Sequence, residues 1–326
     1  MTVLVLRALG LGDALTGVAP LRGVRRRFPE DRLVLAAPSE IGSLLRGFGV
    51  VDDVLPHSEL DPLDPGALAA HGLGDGGHVA INLHGRGPQS HRVLQATQPG
   101  ELIAFGSAEA GHDGPEWVRD EHEVDRWCRL VRSAGGQCGR QDLLLTAAPE
   151  PVALDGEDLR DVVVLHPGAA SGSRRWPVER WGAVVSALVS RGHRVVVTGV
   201  ESERPLTAAV ASIADGVLDL GGRLNLTQMD AVVAGARLLL SGDTGVAHLA
   251  TAHRTPSVLL FGPTPPSQWG PAVDSDLHTV IWRDITGVTA DPHSDVIDAR
   301  LAAVRVDEVV QAACRLLATS PAVAAH

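Results

Sequence analysis

The chain has 326 residues, 44% of them hydrophobic, enough for buried cores and long enough that two domains are the better expectation. Its formal net charge of −11 argues against a nucleic-acid binder, whose surface is normally basic. Every basic residue apart from histidine is arginine, and the three cysteines (Cys128, Cys138, Cys314) form no Cys-x-x-Cys pair, a usage that predicts a reduced, cytoplasmic protein.

The first apolar strand falls at 3–7, too short and wrongly flanked for a signal peptide, and no apolar run approaches the roughly 20 residues of a membrane span. Further strands are predicted at 33–37, 78–83 and 102–105, alternating with helices at 13–28, 39–48 and 122–134. Residues 56–76 and 106–120, rich in Gly, Pro, Asp and His, read as loops. A Pro-containing connector at 147–151 predicts a boundary between domains 1–150 and 151–326. The second series then runs strand 162–166, helix 178–191, strand 194–198, helix 202–214, helix 226–236, strand 237–241, helix 244–253 and strand 257–261. A last helix follows from 307 to about 318, with a frayed tail at 319–326. The alternation predicts an α/β protein with parallel sheets: two Rossmann-like halves and a ligand cleft between them.

The segment around residues 238–252 is the most informative. An apolar strand enters a tight turn, Ser241-Gly-Asp243-Thr244-Gly245, that opens directly into a helix. Asp243 is suited to cap that helix, with Thr244 and Gly245 in a first turn whose N–H groups lack intrahelical partners. Gly245 lets a ligand approach the backbone, and His248 follows Thr244 by four residues on the same face near the positive end of the helix dipole. Such a helix start favours an anion, most simply a phosphate, held by the N–H groups of Thr244, Gly245 and Val246.

Three other strand–helix junctions can carry chemistry. At the first, Arg7-Ala-Leu-Gly-Leu-Gly12-Asp13, the dinucleotide fingerprint fails because position 15 is Leu, and an acid there would repel a pyrophosphate. Asp13 is either a helix cap or a general base whose flanking glycines leave room for a sugar hydroxyl; Arg7 can orient it or contact the acceptor. At the second, His166-Pro-Gly-Ala-Ala-Ser171-Gly-Ser173-Arg174-Arg175-Trp-Pro177, small residues expose backbone donors, Ser171 and Ser173 add hydroxyls, and Arg174 supplies a charge-assisted bond to phosphate. At the third, Glu201 or Glu203 can accept both hydroxyls of a ribose, or merely decorate a helix start.

The 14 histidines show no metal-ligand spacing: His248 and His253 lack the His-Glu-x-x-His arrangement, and Asp274-Ser-Asp276 is the sole Asp-x-Asp. No metal or other cofactor is expected. Arg22, Arg25, Arg26 and Arg27 cluster on one predicted helix, by default a solvated face and in the sharper reading a surface for anionic lipid headgroups.

Taken together these elements resemble family 9 glycosyltransferases, the ADP-heptose-type heptosyltransferases. The resemblance is carried by Gly12-Asp13, His122-Glu-Val-Asp-Arg126, His166-Pro-Gly168 with Arg174-Arg-Trp-Pro177, Ala234-Gly-Ala-Arg237, Ser241-Gly-Asp-Thr-Gly-Val-Ala-His248 and Phe261-Gly-Pro-Thr264. Asn82-Leu-His84-Gly85 is similar to a short motif that the family places near its acceptor. The resemblance implies a GT-B architecture and an inverting, metal-independent transfer. It also implies that Asp13 is the base and that His84 lies near the acceptor; Arg7 and Gly12, beside Asp13 in the sequence, are expected on the same side. The donor diphosphate falls to Arg174, Thr244, Gly245, Val246 and His248, and its sugar and nucleoside to Asp243, Glu201, Glu203, Ser171 and Ser173. Arg174 stands where heptosyltransferases often carry Lys. An ADP-sugar is the expected donor and a glycan, glycolipid or small molecule the acceptor, with lipopolysaccharide core the family's best-known acceptor class. A non-hydrolysing sugar-nucleotide epimerase and an inactive nucleotide-sugar-binding module are the competing readings.

Overall fold

The computed structural model describes residues 1–145, 149–285, 287 and 290–319; residues 147 and 148 of the connector and residues 320–326 of the tail lie outside them. The chain divides into two compact units, Met1–Leu143 and Leu144–His326, a few residues ahead of the connector.

In the first unit, β1 (Thr2–Leu6), α1 (Leu11–Thr16), α2 (Val18–Arg27), β2 (Arg32–Ala37), α3 (Ser39–Gly47) and β3 (Asp53–Pro56) come first. They are followed by α4 (Pro65–Ala70), β4 (Val79–Asn82), α5 (Gln89–Gln95), β5 (Glu101–Ile103) and α6 (Glu123–Ser133). The five strands are parallel in the order β3-β2-β1-β4-β5. The central strand β1 is a run of apolar residues because helices cover both faces: Val3, Leu4, Val5 and Leu6 are fully buried.

The second unit opens with a short antiparallel pair, β6 (Ala153–Leu154) and β7 (Glu157–Asp158). Then come β8 (Val163–His166), α7 (Val178–Val189), β9 (Val195–Gly199), α8 (Arg204–Ala211), β10 (Leu218–Gly221), α9 (Leu226–Ala234) and β11 (Leu238–Gly242). The unit closes with α10 (Gly245–His253), β12 (Ser257–Leu260), α11 (Pro266–Trp269), β13 (His278–Ile281), α12 (Ala299–Ala302) and α13 (Val306–Thr319). Its six parallel strands run β10-β9-β8-β11-β12-β13, the doubly wound dinucleotide-type order. Trp176 and Trp181, edge to face at 4.9 Å, anchor α7 against this core.

Several elements depart from the sequence reading. The helix expected at 13–28 starts at Leu11 and is interrupted at Gly17. Pro20 has no N–H to donate to Thr16, and a Cβ on Gly17 would lie 2.8 Å from Arg7 Cδ, so the chain resets there. α4 and a 3₁₀ turn at Ala108–Ala110 occupy stretches read as loops. β3, β10 and β13 were not anticipated; all three are sheet-edge or near-edge strands of four residues, only partly buried, and lack a continuous apolar run.

Candidate functional site

In an open parallel sheet, ligands bind beyond the carboxyl ends of the strands at the point where the winding reverses. Here that point lies between β1 and β4 in the first unit and between β8 and β11 in the second. The loops leaving those four strands carry Asp13, His84, Arg174 and Asp243–His248 respectively.

In the first unit Gly10 is the N-cap of α1, with no side-chain cap bond, and Asp13 is the helix's third residue. The cap alternative for Asp13 is therefore corrected: its carboxylate sits in the first turn, where the helix dipole favours an anion. Gly12 precedes it in the same turn. A Cβ on Gly10 would stand 4.0 Å from Asp13 Oδ2, so glycine keeps the approach to the carboxylate open.

Behind Asp13 lies Arg7, 1% exposed. Its Nε donates to the Asp13 carbonyl at 2.6 Å, one terminal nitrogen donates to the Leu83 carbonyl, and the other donates to Thr16 Oγ1 at 2.9 Å. The same guanidinium lies 3.7 Å from Glu123 Oε1 and 5.0 Å from the centre of the Trp127 ring. Burial pulls its pKa down, while the carboxylates of Asp13 and Glu123 oppose that shift. Arg7 is thus a buried tie between β1, α1, the loop after β4 and α6.

His84 lies in that loop, and its backbone N–H donates to Asn82 Oδ1 at 3.0 Å. Burial, with the Arg7 cation and His57 nearby, lowers its pKa to about 4, so the ring is neutral near pH 7. His84 Nδ1 and His57 Nε2 are buried without a hydrogen-bond partner among the described residues. The sequence reading missed His57 because β3, the strand before it, was not anticipated and His57 fell in the stretch 56–76 read as loop.

In the second unit Thr244, not Asp243, is the N-cap of α10, and it makes no side-chain cap bond. The expected Asp243 cap is corrected accordingly. Thr244 adopts extended backbone, φ −142° and ψ 167°, which begins the helix one residue later than expected, at Gly245. Thr244 Oγ1 is buried with no hydrogen-bond partner among the described residues. Gly245 and Val246 supply the first helical amides, and His248 packs edge-on to Trp269 with ring centres 6.1 Å apart.

Arg174 reaches this helix start: its guanidinium is 3.9 Å from Asp243 Oδ2 and 3.5 Å from the Asp243 carbonyl. Arg174 Nε also donates to Ser171 Oγ at 3.3 Å. Ser171 donates to the Pro292 carbonyl at 2.5 Å and lies 3.1 Å from Ser173 Oγ. Ser173 is 1% exposed and its backbone bonds to Ser294 and Asp298, so it ties the loop to the 291–298 segment.

Glu203 is buried, accepts the Val200 N–H at 3.0 Å and places its carboxylate directly over Gly168, where a Cβ would collide with it. Glu201 is exposed and pairs with Arg204 at 3.2 Å. His166, at the end of β8, is buried with Nδ1 3.0 Å from Thr198 Oγ1; burial lowers its pKa and Glu203 opposes the shift.

The remaining candidates resolve into structural pairs. His253 Nε2 meets Asp230 Oδ1 at 2.7 Å, joining α10 to α9, and Asp274 pairs with Arg254 at 3.0 Å. Among the described residues no three His, Cys, Asp or Glu side chains cluster as metal ligands. The α2 arginines are engaged within their own unit. Arg22 donates to the Asp142 carbonyl at 2.6 Å, Arg25 pairs with Asp52, Arg26 with Asp142, and Arg27 with Glu101 at 3.1 Å. No described helix is long and apolar enough to cross a membrane.

Two Rossmann-like units in one chain define the GT-B class of fold. The family model described as glycosyltransferase family 9 (heptosyltransferase) matches residues 115–289, more than half of the chain. The chain belongs to this family of glycosyltransferases. It is 24% identical over 304 residues to lipopolysaccharide heptosyltransferase 2 of Salmonella typhimurium, covering 82% of this chain and 84% of that protein. It is 30% identical over 135 residues to lipooligosaccharide heptosyltransferase 2 of Haemophilus influenzae, a match that spans 40% of this chain and only 38% of that relative. The solved structure of Escherichia coli ADP-heptose lps heptosyltransferase II superposes with a TM-score of 0.76 at 19% identity, over 98% of this chain and 99% of that one.

Proposed function

We propose that the chain transfers heptose or a related sugar from an ADP-linked donor to a hydroxyl of a lipopolysaccharide-core or similar glycan, with inversion and without a metal ion. Asp13 takes the acceptor's hydroxyl proton as its oxygen forms the new bond to the anomeric carbon. The bond from that carbon to the diphosphate oxygen breaks, and ADP departs with the electron pair. The Gly245 and Val246 amides, the Thr244 hydroxyl, His248 and Arg174 neutralise charge on the departing diphosphate, fixed groups in the role a metal would otherwise take. Glu203 and Glu201 serve the nucleoside, Asp243, Ser171 and Ser173 order the donor loop, and Arg7, Gly12 and His84 shape the acceptor side.

The observation that carries this reading is the start of α10: a buried threonine hydroxyl without a partner among the described residues, beside an arginine and two helix-start amides. That combination suits a diphosphate. The names of the family and of the relatives supply heptose, ADP and lipopolysaccharide as the leading chemistry. We assign the reaction to the cytoplasm, at its membrane face where the acceptor is lipid-linked.

The test is incubation with ADP-heptose and lipopolysaccharide lacking core heptose, following ADP release and the mass of the acceptor. Coupled release and mass gain are expected, with a loss of roughly 10²–10⁴-fold in turnover for Asp13→Ala. An altered nucleotide sugar formed without acceptor would instead make the chain an epimerase. ADP binding without transfer or donor hydrolysis would make it a binding module.

A further inference from the structure

Glu123 opens α6 within the His122-Glu-Val-Asp-Arg126 motif, to which the reaction above gives no task. It is a carboxylate only 5% exposed. Oε1 accepts the Trp127 indole N–H at 2.6 Å and faces Arg7 at 3.7 Å, while Oε2 pairs with Arg126. Arg7 in turn holds the Asp13 carbonyl and packs under the Trp127 ring. We propose that Glu123 is a positioning residue that acts through Arg7 to set the charge state and orientation of Asp13.

Arg7 and Arg126 bring two cations to the back of the α1 start, and Glu123 is the buried anion between them. Arg126 is otherwise committed to the turn before α6, donating to the carbonyls of Val118, Arg119 and Glu121 and stacking on Trp117 at 4.4 Å. His84, in the loop after β4, also feels the Arg7 cation, with His57 beyond it, and burial holds both towards the neutral form. Arg7 and Glu123 therefore set opposing fields on Asp13 from behind. Without Glu123 an unbalanced guanidinium would stabilise the Asp13 carboxylate and make it a weaker base. The Arg7 fork would also lose the partner that fixes its third side, and with it the anchor on the Asp13 carbonyl.

This inference rests on the reading of Asp13 as the base, but its test needs no substrate. The Asp13 carboxyl is followed by carbon NMR in chain labelled at aspartate, assigned by its disappearance in Asp13→Asn. Glu123→Gln, which keeps the shape and one of the two acceptor oxygens but loses the charge, is expected to lower the Asp13 midpoint by roughly one pH unit. Glu123→Asp, which keeps the charge but loses reach, is expected to stay nearer the wild type. An unchanged midpoint in Glu123→Gln overturns the proposal, as does an equal shift in both variants.

A second measurement covers the case in which Glu123→Gln does not fold. In the wild-type chain the Trp127 indole resonance should move as Asp13 titrates, and that movement should vanish in Asp13→Asn; an indole that ignores the titration overturns the relay. An Asp13 midpoint that answers to Glu123 in a chain that transfers no sugar would remove the transferase reading and leave this one standing.

Discussion

The Arg174 guanidinium stands 3.9 Å from the Asp243 carboxylate, immediately before the Thr244 cap of α10. The pair brings a cation to the positive end of a helix, an arrangement that favours an anion. Asp243, 6% exposed, offsets that charge in the free protein. Replacing Arg174 by Ala should therefore leave folding stability within about 1 kcal/mol, since a partly exposed pair at this distance contributes little. ADP affinity should fall by about 1.5–3 kcal/mol, as expected for a charge-assisted bond. Isothermal titration with ADP decides it; unchanged affinity removes Arg174 from the site.

Thr244→Val gives a sharper contrast. The hydroxyl makes no bond among the described residues, so its loss should leave the ligand-free melting temperature equal or slightly higher. The rise in melting temperature on adding ADP should shrink. A variant that melts earlier without ligand and responds normally to ADP would show the hydroxyl to be structural.

Arg7 ties four segments, and methionine in its place would keep the bulk but take one of two cations from Glu123 and the donors from the Asp13 and Leu83 carbonyls. The cost to folding of the first unit should be about 3–5 kcal/mol, read from denaturant midpoints. Arg7→Lys should recover only part of this, because an ammonium cannot reproduce the planar fork that serves Asp13, Leu83 and Thr16 together.

His84 makes stability pH-dependent. Its folded pKa of about 4 lies below the unfolded value of about 6.5, so between those limits the unfolded chain binds more protons. Stability should fall as pH drops from about 6.5 towards 4, with no further loss from this group below that. His84→Gln should flatten the slope in that window, measured as denaturant midpoints at stepped pH. An identical slope in the variant would show that His84 is not held neutral.

How much of this was legible in the sequence depended on burial. Central strands such as β1 and β11 announce themselves because both faces are covered and apolar residues follow one another without alternation. Edge and near-edge strands such as β3 and β13 do not, and His57 was lost with β3. The junction 241–248 was readable because a strand, a glycine turn and a helix follow within a few residues. Which residue capped the helix was not, since Asp and Thr are both good caps and backbone angles decide between them. The arginines of α2 read as a basic face, yet their partners Asp52, Glu101 and Asp142 are 27, 74 and 116 residues away from Arg25, Arg27 and Arg26. Arg7 read as a helper to Asp13, but nothing local shows that Glu123 stands behind it.

Asn82 ends β4 with no exposure, and its amide answers in both directions. Nδ2 reaches the Gly85 carbonyl, Ser90 Oγ and His91 Nδ1 at 3.1, 2.9 and 3.1 Å, while Oδ1 accepts from the His84 and Gly85 backbones at 3.0 and 3.4 Å. His91 thereby accepts at one nitrogen and is left to donate to the Phe105 carbonyl with the other, at 2.7 Å. An aspartate has the same outline but only acceptors, so spontaneous deamidation at this one position would turn the contacts with the Gly85 carbonyl and His91 Nδ1 repulsive. The loop bearing His84 would come loose without any change in the side chain's size, a route by which stored protein could lose activity while its fold persists.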